Sequence, residues 1–305
     1  MTRSVPEQIS TRIRNTPMSG VMSPARLLLP ALLALIATQP AAALAEGPAI
    51  QTLSAGPIAA DRGLRVPGHA PAPRFRAPLG AGASSVKVAN VSAEGTRTNG
   101  KIIAVDPGAR SYSCSGTAIA TPSRSIVLTA GHCVLERKRQ ARRIAFVPAY
   151  DHGKRPFGTF TVKAVYVMPQ WRQDENPGFD VAALRVRPSR LGRLTDVVGA
   201  RGYAIDKSRL GAFQIFGYPA ARAGGEELRS CRAHGLGVDR LTNRLPGPPT
   251  MPASCDLAAG ASGGAWLFDG RYVSGVTSYS YQGRPTQLFS PYFGPAIGAF
   301  LRALP

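Results

Sequence analysis

Three residues in the sequence are of types that could together perform nucleophilic catalysis. His132 ends an apolar run and precedes Cys133, Asp180 leads into the apolar run 181–184, and Ser262 stands among the glycines of the run 260–264. A serine hydroxyl attacks well only when a base takes its proton, and an imidazole can do so near neutral pH. A carboxylate on the other ring nitrogen fixes the tautomer and stabilises the imidazolium. The residue types therefore predict a general base, an orienting carboxylate and a nucleophile.

The glycines beside Ser262 have a part in the same chemistry. The backbone N–H groups of Gly260 and Ser262 can point at a developing negative charge only if the chain turns tightly, which glycine permits. Losing one such donor typically costs about 100- to 1000-fold in rate. We therefore predict that Gly260 and Ser262 supply the oxyanion hole.

Each of these three residues has an alternative assignment. The remaining histidines lack a comparable motif, and the acids Asp151 and Asp174 lie among polar residues, whereas only Asp180 leads into an apolar run that could anchor a buried carboxylate. The alternative for Ser262 is an ordinary glycine-rich turn. A zinc site at His132 and Cys133 is a further alternative, but adjacent ligands without a second paired cluster fit zinc spacing poorly. We therefore expect neither a metal nor another cofactor.

Five stretches of the sequence resemble the trypsin-like serine peptidases, and within them the bacterial branch near the V8-like glutamyl endopeptidases. The run 114–119 resembles the family's strand before the histidine, 180–184 its aspartate motif, 255–264 its serine loop and 274–279 the strand lining the substrate cleft. The run 216–219 (Phe-Gly-Tyr-Pro) stands where many bacterial members carry a Gly-Tyr-Pro turn. The resemblance begins near Gly100 and implies an endopeptidase acting on proteins or peptides through His132, Asp180 and Ser262.

The resemblance also implies an all-β fold of two packed six-stranded antiparallel β-barrels, with the site between them. His132 and Asp180 would come from the first barrel and Ser262 from the second. Many short β-type runs with turn-rich gaps independently indicate a β-sandwich or barrel. The runs are 101–105, 125–129, 144–147, 160–167, 181–186, 213–217, 265–268 and 272–277. A short C-terminal helix is predicted from Pro295 to Leu304, with proline at its first position.

The family pattern further implies which residues contact substrate. Ser278, Tyr279 and Ser280 would line the cleft. Asp256 lies six residues before Ser262, the offset at which trypsins carry the pocket aspartate that selects Lys or Arg. A neutral side chain would leave such a buried carboxylate unpaired at a cost of several kcal/mol. The alternative is that Asp256 only caps a loop.

Two positions depart from relatives. Glutamyl endopeptidases place a histidine just before the serine of the cleft strand, where this sequence has Thr277. A glutamate in the pocket would thus lack that partner. Animal trypsins carry an aspartate before the nucleophile that receives the new N-terminus on activation, and here that residue is Ala261. The resemblance therefore does not imply this activation switch.

The N-terminal region predicts export to a secreted or periplasmic location. Residues 1–45 contain an apolar core, 27–37, and small residues before Glu46, as in a cleaved signal peptide. Met18 or Met22 could be the true start. The apolar core is shorter than the roughly 20 residues of a membrane span, so no stable span is expected after cleavage, although an uncleaved anchor is the alternative. Residues 46–95, rich in Ala, Pro and Gly, predict a leader or propeptide, and 96–305 the peptidase domain.

The four cysteines indicate two disulfides if the protein is exported, and the sequence alone allows three connectivities. The family pattern implies Cys114–Cys133 and Cys231–Cys255.

The chain is strongly basic. Its formal net charge is +20, and residues 96–305 contain 28 Lys and Arg against 13 Asp and Glu. Such a charge attracts anionic surfaces, nucleic acid or acidic proteins. The densest basic run, 136–143, follows the histidine motif and is predicted at the cleft rim, although a solvated face is the simpler interpretation. No dedicated nucleic-acid site is expected.

The alternative function is a catalytically inactive protease-fold protein that binds through this basic surface, but such a binder gains nothing from keeping all three triad residues.

Overall fold

The computed structural model describes residues 51–54, 74–76, 84–282 and 286–305, the first two segments by their backbone alone. The predicted signal peptide and most of the predicted leader lie outside these residues. Three short strands come first: β1 (Gln51–Ser54), β2 (Arg74–Arg76) and β3 (Val86–Lys87). Val88 and Val91 pack against the main hydrophobic core. The folded part therefore extends to the N-terminal side of residue 96, the predicted domain boundary.

The first barrel is a closed ring of six antiparallel strands. The strands of this half are β4 (Asn99–Val105), β5 (Ser111–Ile119), β6 (Ile126–Thr129), β7 (Leu135–Glu136), β8 (Arg139–Gln140), β9 (Arg143–Pro148), β10 (Phe160–Val167) and β11 (Ala182–Val186). The ring runs β10–β11–β6–β5–β4–β9, and β9 pairs back with β10 to close it. β1 adds to β10, while β7 and β8 form a separate hairpin. Valine, isoleucine and phenylalanine dominate the ring because branched and aromatic side chains fit a pleated, buried surface.

The second barrel contains the C-terminal strands. They are β12 (Ala212–Gly217), β13 (Arg229–His234), β14 (Met251–Ser254), β15 (Ala265–Phe268), β16 (Tyr272–Val276), β17 (Ser280–Gln282) and β18 (Gln287–Ser290). A sheet runs β16–β15–β12–β13–β3, β14 pairs with β18, and a bridge between Gly235 and Ala253 connects the two sets. β2 pairs in parallel with β17. The two packed barrels confirm the predicted fold class.

Helices are few among the described residues. They are α1 (Pro169–Asp174), α2 (Leu194–Val198) and α3 (Pro295–Arg302), with single 3₁₀ turns at Gly131–Cys133, Pro177–Phe179, Ala223–Gly225 and Thr242–Arg244. α3 begins with a proline, which lacks an N–H that the first turn does not need. It buries Ile297, Phe300 and Leu301, and so confirms the predicted closing helix. None of the helices in the described part of the chain is both long and apolar enough to cross a membrane.

Two disulfides are present, Cys114–Cys133 and Cys231–Cys255. The first joins β5 to the 3₁₀ turn that carries His132. The second joins β13 to the segment that leads to Ser262. Each disulfide thus holds one wall of the region where the candidate residues meet.

Candidate active site

His132 and Asp180 meet at the ends of two paired strands. His132 lies in the 3₁₀ turn after β6, and Asp180 directly follows a 3₁₀ turn just before β11. Thr129 is paired with Ala182 across β6 and β11, which brings these chain ends together. Asp180 Oδ2 lies 2.7 Å from His132 Nδ1, and Asp180 Oδ1 accepts from the His132 backbone N–H at 2.8 Å. A carboxylate can only accept, so Nδ1 carries the proton and Nε2 is left as the basic nitrogen.

The second barrel also holds Asp180. Ser278 Oγ donates to Asp180 Oδ2 at 2.5 Å, and both side chains are buried. The sequence predicted Ser278 as a residue of the substrate cleft. Its hydroxyl is bonded to the carboxylate, so that three donors fix this one acid, and its contact with substrate stays a prediction.

The surroundings of His132 raise the pKa of its imidazole. Burial disfavours the charged ring and lowers the pKa, but the charge of Asp180 and its hydrogen bond outweigh burial, and the charges of Glu136 and Glu175 act in the same direction. The pKa of His132 is therefore raised above 6.5, the ordinary value for histidine. The ring is well suited to accept a proton and hold it while Asp180 stabilises the charge.

The loop that carries Ser262 is wedged between the barrels. The Ser262 carbonyl accepts from the Ser115 N–H at 2.7 Å, and the Gly263 N–H donates to the Thr277 carbonyl at 2.7 Å. Gly263 has a φ of +78°, and a Cβ there would lie 2.0 Å from Thr129 Oγ1, on the strand that leads to His132. Only glycine fits both the space and the backbone conformation. The described hydrogen bonds do not include one from Ser262 Oγ to His132 Nε2, a contact that often tightens only when substrate is bound.

The predicted oxyanion hole has two unengaged donors. No described residue accepts a hydrogen bond from the backbone N–H of Gly260 or of Ser262. Gly260 has a φ of +92°, and a Cβ there would lie 2.5 Å from the Tyr218 carbonyl oxygen. Buried backbone N–H groups are nearly always paired in folded proteins. Two such donors in one loop can therefore serve a bound anion.

Ser115 fixes the outer side of this loop and was missed by the sequence reasoning. Its Oγ donates to the Gly260 carbonyl at 2.9 Å and accepts from the Tyr218 N–H at 2.9 Å. Through these bonds β5 of the first barrel holds Gly260 by its carbonyl, one peptide unit beyond the N–H that is the predicted oxyanion donor. The sequence signal was only a serine next to Cys114, which had served to identify the strand before the histidine.

The predicted cleft residues directly follow Thr277, whose carbonyl accepts from Gly263 of the serine loop, and several of them have partners inside the protein. The Tyr279 hydroxyl donates to Asp239 Oδ2 at 2.7 Å, and its ring stacks on Phe289. Ser280 begins β17 and is partly exposed. Thr277 Oγ1 accepts from Trp266 Nε1 at 3.0 Å, so it supports the core at the position where relatives carry a histidine.

Asp256 is also engaged within the chain. Its Oδ1 accepts from the Ser85 backbone N–H at 2.7 Å, and its Oδ2 lies 2.6 Å from Arg222 Nη2. A substrate cation would have to displace Arg222 to reach this carboxylate.

Ala261 and the neighbouring cysteines bear on activation and on metal binding. Ala261 is fully buried and packs against Gly217, where an added Cβ would lie only 2.6 Å from Ala261 Cβ. Its methyl group offers no carboxylate to receive an N-terminus. Cys114, His132 and Cys133 lie within ligand distance of one another. The two sulfurs are bonded to each other, however, and zinc requires thiolates. This cluster is therefore not a zinc site.

The two β-barrels, the buried Asp180–His132 pair between them and the serine in its glycine turn are the arrangement of the trypsin-like serine peptidases. The sequence model of the trypsin family matches residues 91–293. The chain belongs to this family.

Solved structures agree with this assignment. Protease Anisep from Arthrobacter nicotinovorans is 31% identical with a TM-score of 0.65, and the match covers 72% of this chain and 97% of that one. The thermostable serine protease AL20, from an extremophilic microorganism, is 26% identical with a TM-score of 0.63, covering 70% of this chain and 100% of that one. A Glu endopeptidase at 21% identity shares the fold, with a TM-score of 0.58 and coverage of 74% and 97%. Comparison with curated proteins gives no significant match.

Proposed function

We propose that the protein is an exported serine endopeptidase that cleaves peptide bonds through His132, Asp180 and Ser262. The observation that carries the proposal is the buried Asp180 carboxylate. It accepts a hydrogen bond from His132 Nδ1 in its own barrel and another from Ser278 Oγ in the second barrel. Such a carboxylate fixes the ring so that Nε2 faces the serine loop as a base. Membership of the trypsin family supports peptidase activity.

The proposed reaction has two half-reactions. Ser262 Oγ attacks the carbonyl carbon while His132 Nε2 takes the hydroxyl proton, and the N–H groups of Gly260 and Ser262 stabilise the oxyanion. The C–N bond then breaks as the imidazolium gives its proton to the departing amine, which leaves an ester on Ser262. Water attacks this ester, gives a proton to His132, and releases the acid as Ser262 recovers its proton.

Selectivity for Lys or Arg remains a proposal about Asp256. Its position in the sequence supports this role, and its ion pair with Arg222 weighs against it, since the carboxylate is already neutralised. The decisive experiment is a peptide library that varies only the residue before the cleaved bond. The Lys/Arg proposal expects preferred cleavage after basic residues, and cleavage after Glu would contradict it.

Export and anionic partners are proposed on separate grounds. Two disulfides support a secreted or periplasmic location because such bonds persist in oxidising compartments. N-terminal sequencing of exported protein should give a start at Glu46 or later, and a mature start at Met1 would contradict cleavage of the signal. The exposed Arg137, Lys138 and Arg139 of the β7–β8 hairpin support contact with anionic segments of substrates beside the cleft.

The proposal as a whole is tested with Ser262→Ala and His132→Ala. Each variant should fold and lose all but a small remnant of peptide hydrolysis, because triad members act as a unit. Normal turnover by purified Ser262→Ala would contradict the mechanism. If the wild-type protein hydrolyses no peptide while remaining folded, the alternative of an inactive binding protein is favoured instead.

A further inference from the structure

Asp256 joins three separate parts of the chain. It stands in the serine loop next to Cys255, it accepts the Ser85 N–H at 2.7 Å, and it pairs with Arg222 at 2.6 Å. Ser85 belongs to the N-terminal segment, and Arg222 belongs to the loop between β12 and β13. The Asp256 side chain is only 13% exposed, whereas that of Arg222 is 47% exposed. Both carboxylate oxygens are thus used inside the protein.

The N-terminal segment is held firmly at this point. Ser85 is buried, its carbonyl accepts from Arg229 Nη2 at 2.7 Å, and its hydroxyl lies 3.2 Å from Arg229 Nε. The next residues form β3 on the edge of β13, and Lys87 pairs with Glu227 at 3.2 Å. Donor, acceptor and hydroxyl of Ser85 are all engaged, which is the pattern of a built docking site rather than of a chance surface contact.

The loop that carries Arg222 also contacts the serine loop next to Gly260. The loop that supplies Arg222 also donates the Ala220 N–H to the Ala259 carbonyl at 2.7 Å, immediately before Gly260. The Tyr218 carbonyl oxygen also packs against Gly260, where an added Cβ would lie 2.5 Å from it. The carboxylate of Asp256 therefore ties the N-terminal segment to the two chain segments that shape the oxyanion hole.

We propose that Asp256 is a positioning residue that docks the N-terminal segment through Ser85 and thereby orders the serine loop. The inference rests on the proposed peptidase function and gives Asp256 a task other than choosing the substrate side chain. It also supplies a link between the N-terminal segment and the active site in a chain whose Ala261 cannot accept an N-terminus. Undocking this segment should weaken catalysis of every substrate alike, because it loosens the oxyanion donors and not a side-chain pocket.

Two variants of the full chain break this link from opposite ends. Asp256→Ala removes the acceptor, and Ser85→Pro removes the donor because proline has no N–H. Ser85→Ala is the matched control because it keeps the N–H bonded to Asp256 and the carbonyl bonded to Arg229, and loses only the longer 3.2 Å contact of the hydroxyl. Asp106→Ala is a second control, since Asp106 also bridges a backbone N–H and a guanidinium, both of Arg110 at 2.9 Å, but lies in a turn of the first barrel.

We expect Asp256→Ala and Ser85→Pro each to lower kcat about 10- to 100-fold, the range for a lost hydrogen bond to a charged group. The loss should be equal for peptides with basic and neutral residues before the cleaved bond, with KM little changed. Both controls should keep wild-type kcat. A loss confined to Lys and Arg substrates in Asp256→Ala would overturn the proposal in favour of a pocket role.

Amide hydrogen exchange tests the link without relying on activity. The Ala261 and Gly264 N–H groups form hydrogen bonds inside the serine loop, to Ala258 and Ala261. Their exchange, followed on a peptide covering 257–264, should accelerate in Asp256→Ala and Ser85→Pro and not in the controls. If exchange in both variants is as slow as in wild type, the proposed role of Asp256 is overturned. This readout does not depend on peptidase activity, so it separates a failure of this proposal from a failure of the proposed function.

Discussion

Ser278 and Asp180 are joined by a buried 2.5 Å hydrogen bond that crosses from the second barrel to the first. The Oδ2 atom that accepts from Ser278 Oγ also lies 2.7 Å from His132 Nδ1. A fully satisfied buried network fixes geometry, because any displaced member leaves an unpaired polar group in a low dielectric. The packing of the two barrels is therefore coupled directly to the orientation of His132.

Removing the Ser278 hydroxyl should weaken catalysis without abolishing it. In Ser278→Ala the carboxylate of Asp180 loses one of three donors, so kcat/KM should fall about 10- to 100-fold, the range for a hydrogen bond to a charged group. Ser274→Ala is the control, because Ser274 is buried in the preceding strand β16 and has no described bond to the site. Steady-state kinetics on one peptide are sufficient. Wild-type kcat/KM in Ser278→Ala would show that the contact does not matter.

The activity should have an acidic limb set by His132. Because the pKa of this imidazole is raised above 6.5, the midpoint of the kcat/KM profile should lie above that value, since only the neutral ring is a base. In Asp180→Asn the burial of His132, which lowers its pKa, remains, but the negative charge of Asp180, which raises it, is gone. The midpoint should therefore move to lower pH, although activity falls about 10⁴-fold. An NMR titration of the imidazole gives the same midpoint independently. A wild-type midpoint below 6.5 contradicts this description of the site.

The same pKa has a consequence for stability. A group whose pKa is raised on folding stabilises the fold fully below its unfolded pKa, and this contribution is lost as the pH rises through the folded value. The free energy of unfolding of wild type, relative to His132→Ala, should thus decline as the pH rises from below 6.5 through the raised pKa. Denaturant unfolding at several pH values measures it, and a difference that grows with pH would have the wrong sign.

The disulfide beside His132 should matter more for activity than its contribution to stability suggests. The bridged cysteines are 19 residues apart in Cys114–Cys133 and 24 apart in Cys231–Cys255. The chain-entropy estimate for such loops is about 3 kcal/mol, so each double Cys→Ala variant should lose a similar free energy of unfolding. At a temperature where both variants are folded, loss of the first bond frees the turn that carries His132. After loss of the second bond, the segment at Cys255 is still held by the contacts of Asp256 with Ser85 and Arg222. Equal kcat in the two variants would contradict this difference.

The basic β7–β8 hairpin, which we propose lies at the cleft rim, should favour substrates with acidic flanks. Arg137, Lys138 and Arg139 are exposed, and no ion pair is described for them. Arg137 and Lys138 both have positive φ, a conformation that is costly for residues with side chains and typical of two-residue hairpin turns. The double variant Arg137→Gln/Lys138→Gln should lower kcat/KM for an acidic peptide about tenfold at low salt.

Charge attraction of this kind is screened by salt, so the effect should fade at high ionic strength. A neutral peptide should be cleaved equally by wild type and the double variant. The control Arg187→Gln/Arg190→Gln removes two basic residues outside the hairpin. An equal loss in the control, or a loss that persists at high salt, would assign the effect to net charge or to folding.

Sequence periodicity located the strands whose apolar residues are continuous. All eight predicted runs are strands, with ends that differ by at most two residues, as in 101–105 against Asn99–Val105. Among the longer barrel strands, β5 was indicated only by the family resemblance of 114–119, and β13, β14 and β18 were not predicted. β13 carries arginine and histidine at its exposed positions, β14 contains Pro252, and β18 is only four residues long. Local pattern is weak in such strands because their pairing is determined by partners far away in the chain.

The residues of the candidate site also divide into those that the sequence predicts and those that it does not. His132, Asp180, Ser262 and Gly260 follow from residue types and local motifs, which carry the chemistry. Three supporting hydrogen bonds join residues that are far apart in the chain. They are Ser115–Gly260, Ser278–Asp180 and Ser85–Asp256, with separations of 145, 98 and 171 positions. Serine occurs in many settings, and nothing in its neighbours along the sequence identifies a partner so distant. The supporting contacts therefore required the three-dimensional structure.

The most direct test of the central claim is labelling with a fluorophosphonate, which reacts with an activated serine, followed by mass spectrometry of the labelled peptide. Wild-type protein should take up one label, on Ser262, and the rate should increase as His132 loses its proton. His132→Ala should label far more slowly, and Ser262→Ala should not label at all. A folded wild-type protein that takes up no label, or takes it up on another serine, would contradict the account.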